Sequence, residues 1–161
     1  MAQAISQEMK LPGLSVEGLC LAAYVYDISL VSMPVTIIQD SGKLTGFLLI
    51  LYQKYPQQSC DILKDVDFPW PVADIVLQHR ECFDGSGFPQ GIKGEDILIE
   101  ARILAVADAL EDYTSHRSYR NAFPINEALE EVSSNSGTKY DPDVVAACLR
   151  LFKDKGYKME G

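Results

Sequence analysis

The sequence predicts an all-α domain. Apolar side chains recur at the helical spacing i, i+3, i+4, i+7 in one segment after another, no stretch alternates with the period of a half-buried strand, and helix-start residues precede several of the apolar runs. No internal repeat is visible. At 161 residues and 17.8 kDa the chain is long enough to bury a core without disulfide or metal staples, so one domain over 1–161 is expected.

Residues 15–30 read as a first helix: Leu19, Ala22, Ala23 and Tyr26 share a face, and Ser15 with Glu17 and Gly18 supplies the start. Met33-Pro34 turns the chain and Asp40-Ser41-Gly42-Lys43 forms a loop. Leu44 to Tyr55 is then helical, and Pro56 permits a new start for 57–64. After the break at Phe68-Pro69-Trp70-Pro71, Val72, Ile75, Val76 and His79 give a helix of about ten residues that carries a histidine on its apolar face. Gly85, Gly87, Pro89, Gly91 and Gly94 exclude regular structure from Cys82 to Asp96. Glu100 to Tyr113 is an apolar helix with Asp108 inside its stripe, Pro124 to Ser133 an amphipathic one, and Asp141-Pro142 caps and opens a last helix carrying Val144, Val145, Cys148, Leu149 and Phe152.

Fourteen Lys and Arg against 23 Asp and Glu leave a net charge of −9, with a pI near 4.6. That balance opposes nucleic-acid polymers and anionic membranes as partners. Cys20, Cys60, Cys82 and Cys148 show neither metal-ligand nor disulfide-framework spacing and are expected to be free thiols. The longest apolar runs, such as Gly46 to Tyr52, are shorter than a bilayer requires, and no signal peptide is apparent. A cytoplasmic location without membrane contact is the expectation.

Three residues break the apolar pattern: Asp27, His79 and Asp108. A buried charge is costly unless paired or bound to a metal. Two carboxylates and an imidazole suit Mn²⁺, Fe²⁺ or Zn²⁺; alternatively each bonds backbone or an arginine, as Asp108 would with Arg102 or Arg80. A second constellation runs from His79-Arg80-Glu81 through Asp84-Gly85-Ser86-Gly87-Phe88-Pro89 to Arg117, Tyr119 and Arg120. Arginine forks bind phosphate and a ring in a glycine-rich loop can stack a base, parts that a cyclic nucleotide pocket uses. Pairing of Arg117 and Arg120 with surface carboxylates is the competing reading.

At these residues the chain resembles the HD-GYP family, all-α metal-dependent phosphodiesterases that cleave cyclic di-GMP. The family's His-His-Glu-x-x-Asp-Gly-x-Gly-Tyr-Pro element reads His79-Arg80-Glu81-Cys82-Phe83-Asp84-Gly85-Ser86-Gly87-Phe88-Pro89. The match continues through Gly91-Ile92-Lys93-Gly94, Ala101 to Asp108, Thr114 to Arg120 and Tyr140-Asp141-Pro142, and back through Ser41 to Thr45. The resemblance implies the family's helical bundle lacking most of its first helix, since Ala4 to Leu11 resembles only that helix's tail.

The departures fall on the family's chemistry. The His-Asp-x-Gly-Lys stretch reads Tyr26-Asp27-Ile28-Ser29-Leu30, so its histidine and lysine are gone; a further family histidine is Tyr55, the second tandem histidine is Arg80, and the GYP tyrosine is Phe88. Carried over position by position, the metal ligands that remain are Asp27, His79 and Asp108. These can hold one ion, Mn²⁺ or Fe²⁺ before Zn²⁺, but hardly the metal cluster of the family's mechanism. Arg80 puts a permanent cation where a ligand belongs, which suggests a ligand exchanged for a salt bridge to Asp27 or Asp108 and no resident cofactor. Arg117 and Arg120 match positions that grip the dinucleotide phosphates, and Phe88 retains a ring. The resemblance therefore implies a regulatory or protein-interaction module of cyclic di-GMP signalling without hydrolysis, its partners being diguanylate cyclase or other signalling proteins, or cyclic di-GMP itself. The alternatives are a phosphodiesterase with a reduced metal site and a cyclic di-GMP sensor. A reduced first helix would also expose an apolar groove and favour self-association.

Overall fold

A computed structural model describes residues 1–35, 37, 44–116 and 120–158. Among these, eight α-helices and no β-strand are found: α1 Ala2–Glu8, α2 Gly13–Val25, α3 Gly46–Gln53, α4 Tyr55–Leu63, α5 Val72–Gln78, α6 Ile99–Thr114, α7 Ile125–Ser134 and α8 Pro142–Lys153. Short 3₁₀ turns cover Ile28–Ser32 and Gly94–Asp96. The loop predicted at Asp40 to Lys43 lies outside the described residues.

The axis of the bundle is α6, whose apolar run packs against α1, α2, α5, α7 and α8. Its Ala101, Ile103, Leu104, Val106, Ala107 and Leu110 are buried and form one core with Leu19, Ile75, Val76, Val132, Val144 and Cys148. Gly18 lets α2 approach α5's leading loop: a Cβ there would stand 2.8 Å from the Trp70 side chain. The first and last helices also meet, since α1 packs on α8 and Glu8 accepts hydrogen bonds from Arg150 (3.1 Å) and Lys155.

The last helix starts as predicted, with the Asp141 carboxylate accepting from the Asp143 amide and Pro142 in the first turn. Three predicted boundaries move. The helix of about ten residues expected from Val72 is seven residues long and ends at Gln78, which leaves His79 at its C-cap. The helix expected over 15–30 begins at Gly13 and ends at Val25, because Ser29 is drawn into tertiary bonds: its hydroxyl donates to the Tyr55 carbonyl (2.8 Å) and accepts from Ser59 (2.8 Å). These bonds favour a 3₁₀ turn over another α turn. The break expected at Pro56 falls at Lys54, with Pro56 in the first turn of α4, where a missing N–H leaves no intrahelical bond unmade. Together Gly13–Ser32 make a stretch of 20 residues that is long and apolar enough to cross a membrane, longer than the runs weighed from sequence. Its Leu19, Ala22 and Ser29 are buried in the bundle. All four cysteines are free, as expected.

Candidate functional site

The three residues that broke the apolar pattern converge. The C-terminal end of α2 delivers Tyr26 and Asp27, the end of α5 delivers His79 and Arg80, α4 delivers Tyr55, and α6 delivers Asp108. They surround or underlie one cavity of about 340 Å³, whose lining includes Asp27, Leu30, Tyr52, Arg80, Phe88 and Asp108.

Every donor atom of His79 and Asp108 is occupied by protein. Asp108, 7% exposed, receives the Tyr26 hydroxyl at Oδ1 (2.8 Å) and the Arg80 guanidinium at Oδ2 (2.8 Å). Of the two arginines that sequence offered as its partner, Arg80 is the one used, whereas Arg102 pairs with Asp141. Arg80 Nε also donates to the Tyr55 hydroxyl, which lies 2.8 Å from His79 Nε2, while His79 Nδ1 lies 2.5 Å from the Val76 carbonyl. Because that carbonyl can only accept, the proton sits on Nδ1 and Nε2 accepts from Tyr55. A directed chain results, from Arg80 through Tyr55 and His79 to the backbone of α5. Edge contacts of the Tyr26 and Tyr55 rings with the imidazole close the packing.

Asp27 is the exception, since its Oδ1 is buried without a hydrogen-bond partner. Burial, reinforced by the neighbouring charge of Asp108, pushes its carboxyl from an ordinary 3.8 to about 6. Burial, with the cation of Arg80, pushes His79 from 6.5 down to about 3. The effects on stability have opposite signs. Between pH 3.8 and 6 folded Asp27 retains a proton that the unfolded chain has released, so stability falls as pH rises. Between pH 3 and 6.5 the unfolded chain holds a proton on His79 that the fold excludes, so stability falls as pH drops. Where the windows overlap the slopes offset each other. Asp27→Asn is therefore expected to stabilise the domain by up to about 3 kcal/mol above neutral pH, to give no gain below about pH 4, and to leave a melting temperature that declines steadily on acidification from about pH 6.5. Thermal melts of both proteins across that range check it.

This donor set does not fit a metal ion. Filling the coordination sphere would require displacing Tyr26, Arg80 and Tyr55 from His79 and Asp108, and among the described residues no group of three His, Cys, Asp or Glu is placed to hold one.

The predicted phosphate grip is differently placed. Arg117 lies outside the described residues. Arg120 does not line the cavity: its Nη2 donates to the Asp112 carbonyl and reaches Asp112 Oδ2 at 3.4 Å, with its guanidinium over the Tyr113 and Phe123 rings. The pairing with a carboxylate that sequence raised as the competing reading is thus the contact formed. Phe88 lines the cavity, edge-on to Tyr52.

Sequence reasoning missed Tyr52, Tyr113 and Tyr140, whose side chains complete an aromatic rim, and Lys139 beside them. Helical periodicity assigns Tyr52 only to a face. It also passed over the task of Glu81, whose buried carboxylate accepts the amides of Gln90 (2.7 Å) and Gly91 (3.0 Å) and so cinches the glycine-rich loop against α5.

The HD domain family model matches residues 1–144. A cyclic di-GMP phosphodiesterase of Thermotoga maritima is 36% identical over 152 residues, 93% of this chain and 41% of that protein. The cyclic di-GMP phosphodiesterase response regulator RpfG of Xanthomonas campestris pv. campestris is 32% identical, over 93% of this chain and 40% of its own. The chain thus spans about two fifths of the length of these relatives. Bd1817, an HDG"Y"P protein from Bdellovibrio bacteriovorus, shares the fold with a TM-score of 0.77 at 21% identity, covering 93% of this chain and 48% of that one. The helical bundle and these matches agree: the chain belongs to the HD domain family.

Proposed function

We propose that this domain serves cyclic di-GMP signalling as a regulatory or protein-interaction module and does not hydrolyse phosphodiesters. The observation that carries this reading is the Arg80–Asp108 ion pair, together with the occupation of both His79 nitrogens. Tyr26, Tyr55 and Arg80 stand where the family resemblance calls for histidines, and each now directs a proton toward a residue that would otherwise offer a lone pair to a metal. Without clustered metals, the cavity lacks the groups that in the family's mechanism activate a water and steady the departing oxygen. Protein partners from the same pathway, diguanylate cyclases among them, are the readers this role implies, in the cytoplasm where that messenger acts.

The test is metal content per chain after anaerobic purification with Mn²⁺, Fe²⁺ and Zn²⁺, followed by turnover of cyclic di-GMP. No stoichiometric ion and no linear product are expected, while the Arg80→His, Tyr26→His double variant is expected to gain metal. A parent chain that holds an ion, lost on Asp108→Ala, and cleaves the messenger would overturn the proposal.

One observation favours a second reading, binding without hydrolysis: the cavity keeps an aromatic rim of Tyr52, Phe88, Tyr113 and Tyr140 suited to stacking a base. Calorimetric titration of cyclic di-GMP into the metal-free chain, repeated with Phe88→Ala, decides between binding and its absence.

A further inference from the structure

The guanidinium of Arg80 is fixed on two sides and open on a third. Its Nη1 stands 2.8 Å from Asp108 Oδ2 and its Nε donates to the Tyr55 hydroxyl, while among the described residues no protein group is bonded to Nη2. Arg80 lines the cavity with its side chain 29% exposed, so Nη2 is the donor that the contents of the cavity meet. A guanidinium held in this way loses little freedom when it bonds a ligand, and its N–H groups lie in one plane. Tyr52, Phe88, Tyr113 and Tyr140, all half-buried, line the same space. At about 340 Å³ the cavity falls within the range of small-molecule sites.

Charge decides which planar acceptor suits that donor. The cavity is lined by four acidic side chains, Asp27, Glu81, Asp108 and Asp112, against two basic ones, Arg80 and Lys139. A phosphate or carboxylate drawn to Arg80 would enter that negative field, whereas a neutral ring bearing a carbonyl accepts from Nη2 without the repulsion. Aromatic side chains stack on the faces of bases, and arginine bonds the O6 and N7 acceptors of guanine, an edge that adenine interrupts with its N6 donor. We propose that the cavity takes the 6-oxopurine base of a nucleotide, its carbonyl edge on Arg80 Nη2 and its face on the aromatic rim, with the phosphate left outside toward the exposed Lys139. The base then occupies the place where the family resemblance calls for metal, and the residue that displaces the metal selects the base. The assignment rests on binding without hydrolysis and adds which part of the nucleotide enters and which bases are accepted.

Titration of the metal-free chain with guanosine, inosine and adenosine monophosphates, followed by backbone amide NMR shifts, is the experiment, with cyclic di-GMP and cyclic di-AMP beside them. The guanosine and inosine nucleotides are expected to bind with similar affinity and the adenosine nucleotide at least about tenfold more weakly, because at its position 6 a donor meets a donor. Cyclic di-GMP is expected to exceed cyclic di-AMP by the same factor. Arg80→Lys is expected to bring guanosine monophosphate down to the level of adenosine monophosphate. Since Arg80 also supports the fold, the comparison among ligands on the unaltered chain stands whether or not that variant folds. An adenosine nucleotide that binds as tightly as the guanosine one, or an inosine nucleotide as weak as the adenosine one, would overturn the assignment while leaving binding without hydrolysis in place. Guanosine monophosphate bound where cyclic di-GMP is not would overturn that reading and support the assignment. A chain that binds none of these nucleotides at millimolar concentration would overturn both.

Discussion

Replacement of Arg80 by alanine is expected to lower the stability of the domain by about 3–5 kcal/mol, because it leaves the Asp108 carboxylate buried and half-satisfied. The Tyr55 hydroxyl loses its donor in the same step, which frees the ordered chain that holds His79 in one tautomer. The companion variant distinguishes the pair's net contribution from the penalty of breaking it. Arg80→Met combined with Asp108→Leu removes both charges at similar volume and is expected to recover most of the loss, as exchanges of buried ion pairs for apolar residues commonly do. Urea unfolding midpoints of the double variant, of Arg80→Met alone and of Asp108→Leu alone complete the cycle. If Arg80→Ala unfolds at the parent's midpoint, the ion pair does not organise the site.

Gly87→Ala should produce a loss at least as visible, by more than about 3 kcal/mol or through collapse of the loop. A Cβ on Gly87 would stand 2.2 Å from the Cys82 amide nitrogen and 2.6 Å from the Arg80 carbonyl oxygen. Both are backbone atoms and neither can turn aside. The loop would have to leave α5, breaking the Phe88 amide bond to the Arg80 carbonyl and the grip of Glu81 on Gln90 and Gly91. Gly13→Ala is the matched control, since nothing lies within 4 Å of a Cβ there. Hydrogen exchange at the Gln90 and Gly91 amides reports the loop directly: loss of protection in Gly87→Ala and retention in Gly13→Ala are expected.

What could be read in the sequence and what could not divides along the range of the interactions. The Asp141-Pro142 start of α8 is a local device, complete within three residues, and the structure reproduces it. The end of α2 was misplaced because its cause lies some thirty positions away, at Ser59 and the Tyr55 carbonyl, where no periodicity reaches. At the site, pattern-breaking polarity points to Asp27, His79 and Asp108, which line one cavity, since a charge on an apolar stripe must be answered by something. Spacing alone did not select the answer. Arg102 lies on Asp108's own helix, but six residues along α6 turns it to another face, where Asp141 takes it; Arg80 comes from α5. Tyr26 and Tyr55 were legible only as substitutions, because a phenol's apolar ring satisfies a helical pattern whatever its hydroxyl does. For Arg120 the sequence offers a carboxylate partner without saying which; the end of α6 and the turn after it supply Asp112, Tyr113 and Phe123.

The closure of α1 onto α8, with Glu8 bridging Arg150 and Lys155, has a bearing on how such a domain works inside a longer polypeptide. Segments joined before Ala2 and after Lys155 would be anchored to two helices that pack on one another. Tension between flanking segments would then be borne by the α1–α8 seam, leaving the cavity undisturbed. Conversely, a signal that loosens that seam, such as loss of the Glu8 charge, would alter how the flanking segments are held while the cavity keeps its shape.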